Sequence, residues 1–526
     1  MKKLISQVLP SLTEHGASYK ILSSKKNAEI AGLEFDSRAV KKNSLFFALP
    51  GTHTTGNKFI AGAVKNGASA VIFQDELSQQ EIDSYPDVVF VKVDSSRFAM
   101  SPVASSFYDN PSKKLVVYGV TGTEGKSSTV SFLWQLLRFS GYKAGFISTV
   151  EYSLGGDAVA NPEHQTTPEA TIVQRELYEM VCNGCTHAVV ESSSHGLSGK
   201  LNRLGDVLFD CGIFMNVTLE HLEFHGTYEQ YKDDKANLFR ALDKHDHVKI
   251  IDGKETKVPC CGIVNLEDKA APFFADCTKE KVYGFTTDEE KSKNNERAKI
   301  QTVKIENVNS TKDEINFSLG EVNVKANLPG AFNSYNVTAA LLAVSHTTGI
   351  SIAQLSSKTE KILPVKGRMT VINEGQDFEL IVDYAHTPSS FETIFPPIRK
   401  RCSGKMICVF GSGGERDLTK RPLQGEIAAK YCDVVILADE DPRNEDPETL
   451  LRMIADGCFK AGKKEGENLF IICDRPKAIR KAFSLAGKND IVLLLGKAHE
   501  NSIIYKDRVM KYDEIAEAKA ALSELK

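Results

Sequence analysis

A glycine-rich segment, GVTGTEGKSS, carries the residue types that a phosphate-binding loop requires. Gly122 and Gly125 allow the backbone to turn so that its N–H groups can face phosphate oxygens. Lys126 can then reach the terminal phosphates of a nucleotide, and the hydroxyl of Ser127 can bind Mg²⁺. The spacing departs from the common G-x-x-x-x-G-K-[ST] pattern because Val120 stands where that pattern has its first glycine. The alternative interpretation is a glycine-rich turn followed by a solvent-exposed lysine.

The segments on both sides of this loop favour the nucleotide interpretation. The β-branched apolar run KLVVYGV comes before the loop and predicts a buried strand. The run SSTVSFLWQLLRFSGY comes after it, with apolar residues at helical spacing and Gly141 at its end. The predicted order of strand, loop and helix is the setting in which a phosphate loop works.

Acidic and imidazole side chains follow two further apolar runs. Glu191 comes directly after HAVV, while His221 and His225 follow DCGIFMNVT, with Lys235 further along the chain. A Mg²⁺–nucleotide site needs oxygen ligands, and a carboxylate at the end of a strand can supply one. Taken singly, a glutamate after a strand is more often a surface residue or a helix cap, and Lys235 alone would be interpreted as a surface lysine.

Composition sets limits on the class of protein. The 526 residues suggest roughly three or four domains, and the 41% apolar and 25% charged residues are ordinary for a globular chain. A net charge of −4 gives no indication of nucleic-acid binding. No apolar run approaches the ~18 residues of a membrane span, and the segment MKKLISQVLPSL predicts a mature terminus rather than a signal peptide. Of the eleven cysteines, only Cys182 and Cys185 have metal-ligand spacing, so we expect free thiols in a reducing cytoplasm.

The pattern of elements predicts an α/β protein. From Pro364 onward, five apolar runs (FELIVD, KMICVF, DVVILA, NLFIIC and DIVLLL) alternate with helix-like stretches, which is typical of a parallel sheet. Before them, EINFSLGEVNVKANLPG alternates apolar and polar residues and predicts a β-hairpin. The charge-rich run TTDEEKSKNNERAK is expected to form a solvated loop.

A set of short motifs, in order along the chain, resembles the Mur ligase family. These motifs are TGTEGKSS, HQTTPEA, ESSSHGL, NVTLEHLEFHG, YKDDK, PGAFNSYNV, KGRM, VDYAHTP, FGSGGERDLTKRP, EDPRNEDP and GKAHE. The likeness runs from FDSR, near residue 36, to Glu500 and so covers nearly the whole chain. The loop is similar to that family's TGTNGK[TS][TS] form, which has its own glycine spacing.

The resemblance implies three domains. They are an N-terminal domain for a UDP-sugar (residues 1–110), a central P-loop ATPase domain with a parallel sheet (residues 111–363), and a C-terminal Rossmann-like domain for the incoming amino acid (residues 364–526). It also implies a cytoplasmic monomer that acts in peptidoglycan synthesis, and thereby in cell shape and division.

The chemistry that the resemblance implies is ATP-dependent amide-bond formation. ATP phosphorylates the D-glutamate carboxylate of UDP-MurNAc-L-Ala-D-Glu, the amine of a diamino acid attacks the acyl phosphate, and ADP and phosphate leave. The enzyme must hold two anions, the carboxylate and the γ-phosphate, in contact, and the residue types present suit that task. Lysine and Mg²⁺ charge would stabilise that arrangement.

The resemblance also implies roles for residues around the nucleotide. The implied catalytic residues are Lys126, His221 and Lys235, of which Lys235 matches the family's carbamylated lysine. The implied nucleotide contacts are Gly122, Thr123, Glu124, Gly125, Lys126, Ser127, Ser128, Asn333, Asn336, Arg368 and Asp383. The implied metal ligands are Ser127, Glu191, His221 and Lys235.

Two further sets are implied for the other substrates. The positions that match UDP-dipeptide contacts are Ser37, Thr166, Thr167, Ser193 and Arg203. The positions that match the diamino-acid pocket are Arg416, Glu440, Asp441, Pro442, Arg443, Gly496 and Glu500.

The chain departs from the family pattern at several points. Glu124 replaces an asparagine and adds negative charge beside the phosphates, which would weaken ATP binding. Glu220 stands where aspartate is usual, Ala498 replaces a glycine, and Arg203 lies two residues later than the family arginine. Its shifted position leaves the role of Arg203 open.

The motif EDPR bears on which amino acid is added. Arg443 can grip a distal carboxylate with two hydrogen bonds, which favours meso-diaminopimelate. Asp441 replaces a neutral amide and would attract a cationic amine, so L-lysine and L-ornithine remain open. The alternative for the arginine is a surface ion pair with one of three nearby acids: Asp439, Glu445 or Asp446.

Three other functions compete with this interpretation. One is another amide ligase of the same superfamily, such as a folylpolyglutamate synthase, against which the FDSR segment and the set from GERD to GKAHE argue. The second is a non-catalytic nucleotide-binding subunit of a cell-wall complex, suggested by Glu124 but opposed by the joint presence of Lys126, Glu191, His221 and Lys235. The third is a plain P-loop kinase. It is disfavoured because such enzymes lack a separate set of amino-acid-binding residues in a third domain.

Overall fold

A computed structural model describes residues 1–51, 54–162, 165–293 and 300–525 of the chain. Its main sheets have five, eleven and six strands and follow one another along the sequence. The parallel strands of the two larger sheets alternate with helices, as the α/β pattern predicts.

The N-terminal region folds around the five-stranded sheet. Its elements are β1 (Lys3–Leu4), α1 (Ile5–Val8), α2 (Pro10–Glu14), β2 (Tyr19–Ile21), β3 (Glu29–Ile30), β4 (Gly32–Glu34), β5 (Ser44–Ala48), α3 (Ile60–Lys65), β6 (Ala68–Phe73), α4 (Gln79–Asp83), β7 (Val89–Val93) and α5 (Ser96–Phe107). The strands lie in the order β2-β7-β6-β5-β4, with β2 antiparallel to β7 and the others parallel. Strands β5 and β6 hold the runs LFFA and SAVIF of the sequence.

The central region contains the eleven-stranded sheet. Its elements are β8 (Val116–Thr121), α6 (Lys126–Phe139), β9 (Ala144–Ile147), β10 (Glu151–Ser153), β11 (Val159–Ala160), α7 (Ala170–Cys182), β12 (His187–Glu191), α8 (Ser194–Leu197), β13 (Cys211–Phe214), α9 (Leu222–His225), α10 (Tyr228–Leu242), β14 (Val248–Ile251), β15 (Lys254–Lys257), β16 (Cys261–Asn265), α11 (Ala271–Asp276), β17 (Lys281–Thr286), α12 (Glu289–Lys293), β18 (Ile300–Ser310), β19 (Ile315–Leu319), β20 (Val322–Ala326), α13 (Asn333–Thr348) and α14 (Ile352–Ser356).

Strand β8 is the middle of this region, and both of its faces are covered. Tyr118 and Val120 pack into one apolar core with α6 and α13, whereas Val117 packs into a second core with α7 and α10. A strand that is buried on both faces has a nearly continuous run of apolar residues, and KLVVYGV is such a run. The neighbouring parallel strands β12 and β13 flank β8, so the ends of all three meet at one edge of the sheet.

The C-terminal region folds around the six-stranded sheet. Its elements are β21 (Thr370–Ile372), β22 (Glu379–Asp383), α15 (Pro388–Arg401), β23 (Met406–Phe410), α16 (Lys420–Tyr431), β24 (Val434–Leu437), α17 (Pro447–Lys460), β25 (Leu469–Ile471), α18 (Arg475–Leu485), β26 (Ile491–Leu495), β27 (Ser502–Ile504), β28 (Val509–Lys511) and α19 (Glu514–Ser523). The strand order is β21-β22-β26-β23-β24-β25, and only β21 is antiparallel to its neighbour. The five strands predicted from the apolar runs are therefore confirmed.

Two expectations for the central region have different outcomes. The predicted hairpin is confirmed, because β19 and β20 pair as antiparallel neighbours. The expectation of a loop for TTDEEKSKNNERAK is wrong for Glu289–Lys293, which form helix α12 with acidic residues in its first turn. Acidic side chains near a helix N-terminus favour the helix electrostatically. Residues 294–299 of this run lie outside the described residues.

Two further features concern the cysteines and the helices. All eleven cysteines are free thiols, and most of them are buried. Among the described residues, no helix is both long enough and apolar enough to cross a lipid bilayer.

Candidate active site

The glycine-rich segment forms a tight loop between β8 and α6. Gly125 has a left-handed φ of 81°, and a side chain there would lie 2.8 Å from Oδ1 of Asn336. Both conditions require glycine. Lys126 is the first residue of α6, and its Nζ donates to the carbonyl oxygen of Thr123, 2.9 Å away. The loop thus has the turn, the helix N-terminus and the lysine that phosphate binding uses.

Ser127 and Glu191 meet beside this loop. The Ser127 hydroxyl donates to Oε1 of Glu191 across 3.0 Å, and the glutamate is only 1% exposed. The other oxygen, Oε2, accepts from the Ser148 hydroxyl (2.5 Å) and from the backbone N–H of Thr149 (2.9 Å). One carboxylate oxygen and one hydroxyl therefore face each other, a donor set that suits a hard cation such as Mg²⁺.

Lys235 is buried directly under the loop. Its Nζ donates to the carbonyl oxygen of Gly122 at 2.7 Å and lies 4.5 Å from the ring centre of Tyr231, while the residue is 1% exposed. Burial, reinforced by the neighbouring charge of Lys126, holds the pKa of Lys235 well below its ordinary value. A lysine with a lowered pKa carries a larger fraction of neutral, nucleophilic amine.

His221 has different partners from those expected of a metal ligand. It adopts a left-handed φ of 57° before α9, and its Nδ1 and Nε2 lie 3.4 Å from Glu223 and 3.6 Å from Glu220. Ser127 and Glu191 bond to each other and to Ser148, Thr149 and Arg368, and none of their described hydrogen bonds reaches this ring. The structure therefore joins two of the predicted metal ligands directly and places His221 in a neighbouring acidic cluster.

The C-terminal region closes over the phosphate loop. Nη2 of Arg368 donates to the Ser127 hydroxyl at 3.2 Å, and the Thr387 hydroxyl donates to Oε1 of Glu124 at 2.9 Å. Three more contacts join the same surfaces: His386 Nε2 to Glu220 Oε1 (3.4 Å), Arg416 Nη1 to Glu223 Oε1 (3.0 Å) and Thr218 Oγ1 to Ser389 Oγ (3.1 Å). The site is thus shared between two sheets.

Three of the five residues predicted to contact the UDP-dipeptide lie together. The Thr167 hydroxyl accepts from the backbone N–H of Ser193 (3.0 Å) and donates to the carbonyl oxygen of Glu191 (2.8 Å). Buried Arg203 donates to the carbonyl oxygen of Thr167 (2.9 Å) and to Oε1 of Glu169 (2.8 Å). The other two, Thr166 and Ser37, are half-buried in loops, the second of them after β4 in the N-terminal region.

Glu440 anchors the residues predicted for the diamino-acid pocket. Gly496 has a left-handed φ of 95°, and a side chain there would lie 2.9 Å from Oε2 of Glu440. On the other side, a side chain on Gly413 would lie 3.9 Å from Oε1 of Glu440 and 3.4 Å from Cγ of Arg416. These loops follow β23, β24 and β26, which are adjacent, so their residues converge at the carboxyl edge of the sheet.

Asp441 forms an ion pair within the protein. Its Oδ1 accepts from Nζ of Lys497 (2.8 Å) and from the backbone N–H of Ile504 (2.9 Å). Lys497 is fully buried and pairs also with Glu500, whose Oε1 accepts from the Tyr384 hydroxyl at 3.0 Å. Asp441 therefore shares the ammonium of Lys497 with Glu500, and its predicted contact with a cationic substrate stays a prediction.

Arg443, by contrast, is available. No hydrogen bond or ion pair involves its side chain within the described part of the chain, and its backbone N–H donates to Ile504 at 2.9 Å. The three acids considered as surface partners are engaged elsewhere: Asp439 with Tyr505, Glu445 with Arg421 and Asp446 with the N-terminus of α17. The geometry argues against the surface ion pair.

Comparisons with known proteins decide the family. Three family models match the chain in order: "Mur ligase family, catalytic domain" at residues 29–108, "Mur ligase middle domain" at 120–344 and "Mur ligase, glutamate ligase domain" at 367–498. A UDP-N-acetylmuramyl-tripeptide synthetase of Treponema denticola is 54% identical over 513 residues, which is 94% of each chain. The chain belongs to the Mur ligase family.

Other relatives support the same assignment. A UDP-N-acetylmuramoyl-L-alanyl-D-glutamate–2,6-diaminopimelate ligase of Clostridium acetobutylicum is 34% identical and covers 98% of this chain and 97% of its own. A solved structure of an enzyme of that name is 26% identical, with a TM-score of 0.57 and coverage of 94% and 95%. A MurF structure from Acinetobacter baumannii shares the fold, with a TM-score of 0.66 at 16% identity.

Glu124 makes its contact at a position where the chain departs from the Mur ligase pattern. The family asparagine is replaced here by a carboxylate, and that carboxylate accepts from Thr387 of the C-terminal region. Thr387 is buried and also caps α15. The extra carboxylate is therefore hydrogen-bonded to the facing surface, and its effect on ATP binding stays a prediction.

Asn333, Asn336 and Asp383 are buried and already hydrogen-bonded. Nδ2 of Asn333 donates to the Pro329 carbonyl oxygen (2.7 Å), and Nδ2 of Asn336 donates to Oδ1 of Asn333 (2.9 Å). The carboxylate of Asp383 accepts two backbone N–H bonds, while burial raises its pKa. Their predicted contacts with adenine and ribose remain predictions.

The sequence interpretation assigned no role to four residues that lie near the site. Lys497 and Tyr384 lie inside the motifs GKAHE and VDYAHTP, so the motifs themselves were the signal that could have found them. His386 and Thr387 follow in the second motif and contact the central region. Their contact partners are distant in the sequence, so only the tertiary structure shows that these two residues belong to the site.

A second group of metal-type side chains lies elsewhere, at β14. Donor atoms of Asp210, His245 and His247 come within 4.8 Å of one another. However, Asp210 pairs with Lys249 (2.9 Å) and His247 (2.9 Å), and the second nitrogen of His247 contacts the Leu242 carbonyl oxygen (2.9 Å). The donors satisfy one another, so we assign the group a structural role.

Proposed function

We propose that this Mur ligase adds a diamino acid to the D-glutamate of UDP-MurNAc-L-Ala-D-Glu, with consumption of ATP, as a cytoplasmic monomer in peptidoglycan synthesis. The proposal rests on the names of its relatives, on the family membership and on the residues gathered at the phosphate loop. The observation that carries it is Lys235, a buried lysine whose Nζ bonds to the loop carbonyl of Gly122.

We assign the three substrates to three domains. Residues 1–110 would bind the UDP-sugar, residues 111–363 ATP and residues 364–526 the amino acid. Support comes from the separate five-, eleven- and six-stranded sheets and from the contacts of Arg368 and Thr387 across the last boundary. A ligase of this kind must bring an amine from one domain to an acyl phosphate formed on another.

Residues of the loop would perform the first half of the reaction. Backbone N–H groups at the start of α6 would hold phosphate oxygens, and Lys126 would stabilise the charge on the transferring γ-phosphoryl group. Ser127, Glu191, His221 and a modified Lys235 would hold Mg²⁺, which supplies positive charge to the phosphates when bound. Arg368 lies 3.2 Å from the Ser127 hydroxyl, and it would add charge from the facing domain.

Lys235 would act as a carbamate. A neutral amine attacks the carbon of CO₂ and loses a proton, which turns a cationic side chain into an anion. Burial and the charge of Lys126 lower the pKa of Lys235 and so favour the neutral amine that this step needs. The resulting carboxylate oxygens are of the type that Mg²⁺ prefers.

In the second half, the amine of the incoming diamino acid attacks the acyl carbon and phosphate leaves. The UDP-dipeptide would lie along Thr167, Ser193 and Arg203, which already contact one another. The amino acid would lie near Arg416, Glu440 and Glu500. Binding the two substrates on facing domains supplies the orientation that amide formation requires.

The third amino acid is the open detail of this proposal. Arg443 has no partner within the described chain and suits a distal carboxylate, which favours meso-diaminopimelate. The Clostridium acetobutylicum relative is named for that substrate, whereas the name of the Treponema denticola relative states no amino acid. L-Lysine and L-ornithine therefore belong in the test.

The experiment is an assay of purified protein with ATP, UDP-MurNAc-L-Ala-D-Glu and each of the three diamino acids. We expect a UDP-tripeptide by mass spectrometry, with one ADP and one phosphate released per product. AMP and pyrophosphate would exclude an acyl phosphate. ATP turnover without the UDP-dipeptide would point to another activity.

A further inference from the structure

The buried imidazole of His225 links three segments of the central region. Its Nδ1 lies 2.7 Å from Oδ2 of Asp234, and its Nε2 lies 3.0 Å from the hydroxyl oxygen of Ser194. The three residues are only 2 to 5% exposed. A carboxylate accepts hydrogen bonds and cannot donate them, so Nδ1 must carry the hydrogen. The ring therefore donates to Asp234 and turns its second nitrogen towards Ser194.

The network has the connectivity of a nucleophilic triad but not its accessibility. Serine, histidine and aspartate bonded in this order activate a hydroxyl in many hydrolases. That chemistry requires a substrate carbonyl beside the serine and N–H donors for the developing oxyanion. Ser194 and His225 lie in the interior of the protein, where a substrate cannot reach them. The network therefore acts through the segments that it connects.

Each member of the network is a near neighbour in sequence of a proposed metal ligand. The pairs are Ser194 with Glu191, His225 with His221, and Asp234 with Lys235. The first pair spans the end of β12 and the start of α8, the second spans α9, and the third lies within α10. A single imidazole thus joins the three segments whose side chains would have to meet at one cation.

Helix α10 is fixed on both sides of Lys235 in the sequence. Nε2 of Gln230 donates to Oδ1 of Asp234 at 3.1 Å, so both oxygens of this buried carboxylate have a donor. Nδ2 of Asn237 donates to the carbonyl oxygen of Leu197, at the end of α8, across 3.0 Å. These contacts set the rotation of α10 about its axis, and with it the direction in which the lysine side chain leaves the helix.

The ring of His225 also supports His221 through a third imidazole. The ring centre of His195 lies 5.2 Å from that of His225 and 4.9 Å from that of His221, and both pairs meet edge to face. Edge-to-face packing is a favourable arrangement of aromatic rings. Loss of the His225 ring would therefore loosen the packing behind His221.

We infer that the network of Ser194, His225 and Asp234 positions the proposed metal ligands, with His225 at its centre. It would hold the end of β12, α9 and α10 in the mutual orientation in which their side chains meet one cation. This inference rests on the proposed function and extends it to residues that do not ligate the metal themselves. Groups that orient metal ligands contribute about 10- to 100-fold to metal affinity or activity.

The test uses two variants that each keep one half of the imidazole. His225→Asn places an amide nitrogen near the position of Nδ1 and keeps the donor to Asp234. His225→Gln places its amide near the position of Nε2 and loses that donor. The matched control is His247→Gln, because His247 is also buried and lies 2.9 Å from an aspartate, Asp210. Asp210 precedes β13 and bonds to the first turn of chain in β8, so this pair lies at the opposite edge of the sheet from the phosphate loop.

Two measurements on the full-length protein do not depend on turnover. The first is binding of Mn²⁺ in the presence of ADP, followed by electron paramagnetic resonance. The second is the carbamate signal in the NMR spectrum after equilibration with isotope-labelled bicarbonate, Mg²⁺ and ADP. The ligase assay adds the concentration of Mg²⁺ that gives half-maximal activity and the KM for the amino acid.

His225→Gln should weaken Mn²⁺ binding and raise the half-maximal Mg²⁺ concentration by about 10- to 100-fold. Its carbamate signal should fall, while the KM for the amino acid stays within about two-fold of the wild-type value. His225→Asn and Ser194→Ala each lose one neutral hydrogen bond and should weaken Mn²⁺ binding by about two- to ten-fold. His247→Gln should leave Mn²⁺ binding within about two-fold, even where it lowers Tm.

Unchanged Mn²⁺ binding in a folded His225→Gln variant would overturn the inference. Equal weakening in His225→Gln and His247→Gln would do the same, because it would show a general loss of stability. If His225→Gln does not fold, Ser194→Ala decides the question. Wild-type Mn²⁺ binding in that variant would then count against a positioning role.

Failure of the proposed function would be recognised separately. If the wild-type protein forms no UDP-tripeptide, a selective loss of Mn²⁺ binding in His225→Gln would still sustain the positioning role. A wild-type protein that binds no Mn²⁺ in the presence of ADP would overturn it. An active ligase in which His225→Gln behaves like His247→Gln would leave the proposed function standing and remove the inference alone.

Discussion

The phosphate loop and the predicted diamino-acid pocket both lie at the carboxyl edge of a parallel sheet, yet they are built differently. The loop takes its glycines, lysine and hydroxyl from one short segment, and its polar groups already bond to one another, as Ser127 does to Glu191. The predicted pocket draws on loops far apart in the sequence, and the side chain of Arg443 has no partner among the residues that the structure describes. A phosphate group can be held by a single turn of backbone, whereas an amino-acid side chain needs groups from several directions. In this protein the phosphate-binding groups are therefore close together in the sequence, whereas the groups predicted to select the amino acid are not.

The largest expected effect is on the local side of this comparison. Lys126→Ala removes the charge that faces the transferring γ-phosphoryl group, and turnover should fall by about 10²- to 10³-fold with every amino acid. Initial rates of ADP release with saturating substrates measure this. A loss that depended on the amino acid would break the division between the two regions.

Lys235→Ala should be nearly as damaging, by about 10²-fold in turnover, because it removes the group that would become a carbamate. Short carboxylic acids should restore part of the activity, and Lys235→Arg should not respond to them. Mass spectrometry of the intact wild-type protein, with and without bicarbonate, checks the modification directly. Full activity of Lys235→Ala at limiting Mg²⁺ would contradict it.

Arg443→Ala should separate the substrates. We expect kcat/KM for meso-diaminopimelate to fall by about 10- to 100-fold, the scale of a lost charge-assisted hydrogen bond. L-Lysine and L-ornithine lack a distal carboxylate and should change by less than about three-fold. Steady-state kinetics with the three amino acids provide the measurement. Equal losses would mean that the arginine shapes the loop.

Tyr384→Phe tests the connection between the two regions. The hydroxyl of Tyr384 donates to Glu500 at 3.0 Å, and its ring lies 4.8 Å from the guanidinium of Arg368, which contacts Ser127. The variant keeps the ring and loses the hydrogen bond, so the KM for the amino acid should rise by about three- to ten-fold while the KM for ATP stays constant. A parallel rise in both constants would show that the two regions do not act separately.

The smallest effect concerns stability and pH. Burial raises the pKa of Asp439 from 3.8 to about 6, against the Tyr505 hydrogen bond and the charges of Arg475 and Arg508 but with the aid of Asp474. A raised carboxyl pKa means that the folded state loses stability as pH rises from about 4 to about 6, and the loss persists above that window.

Asp439→Asn carries no such charge. Thermal unfolding should therefore show it more stable than the wild type at pH 8, by on the order of 1 kcal/mol, with no advantage below about pH 4. Lower stability at pH 8 would mean that the carboxylate has a partner in solution.

Much of this protein follows from its sequence alone. The strand, loop and helix around Lys126 are local, because apolar periodicity, glycine and a helix start act over a few neighbouring residues. The five parallel strands after Pro364 follow from the same short-range patterns, and the ordered motifs identify the family. The helix Glu289–Lys293 was missed because a charged run lacks the apolar periodicity on which such a prediction depends.

Only the tertiary structure shows which charged side chains have a partner within the protein. Asp441 and Lys497 are 56 residues apart, and Glu124 and Thr387 are 263 apart, yet each pair forms a hydrogen bond. Sequence shows a carboxylate or an ammonium as a charge, but its effect on a ligand depends on whether a buried partner compensates it. That partner is set by how distant loops meet at the edge of a sheet, so the pairing of Asp441 with Lys497 and the lack of a described partner for Arg443 appear only in the folded chain.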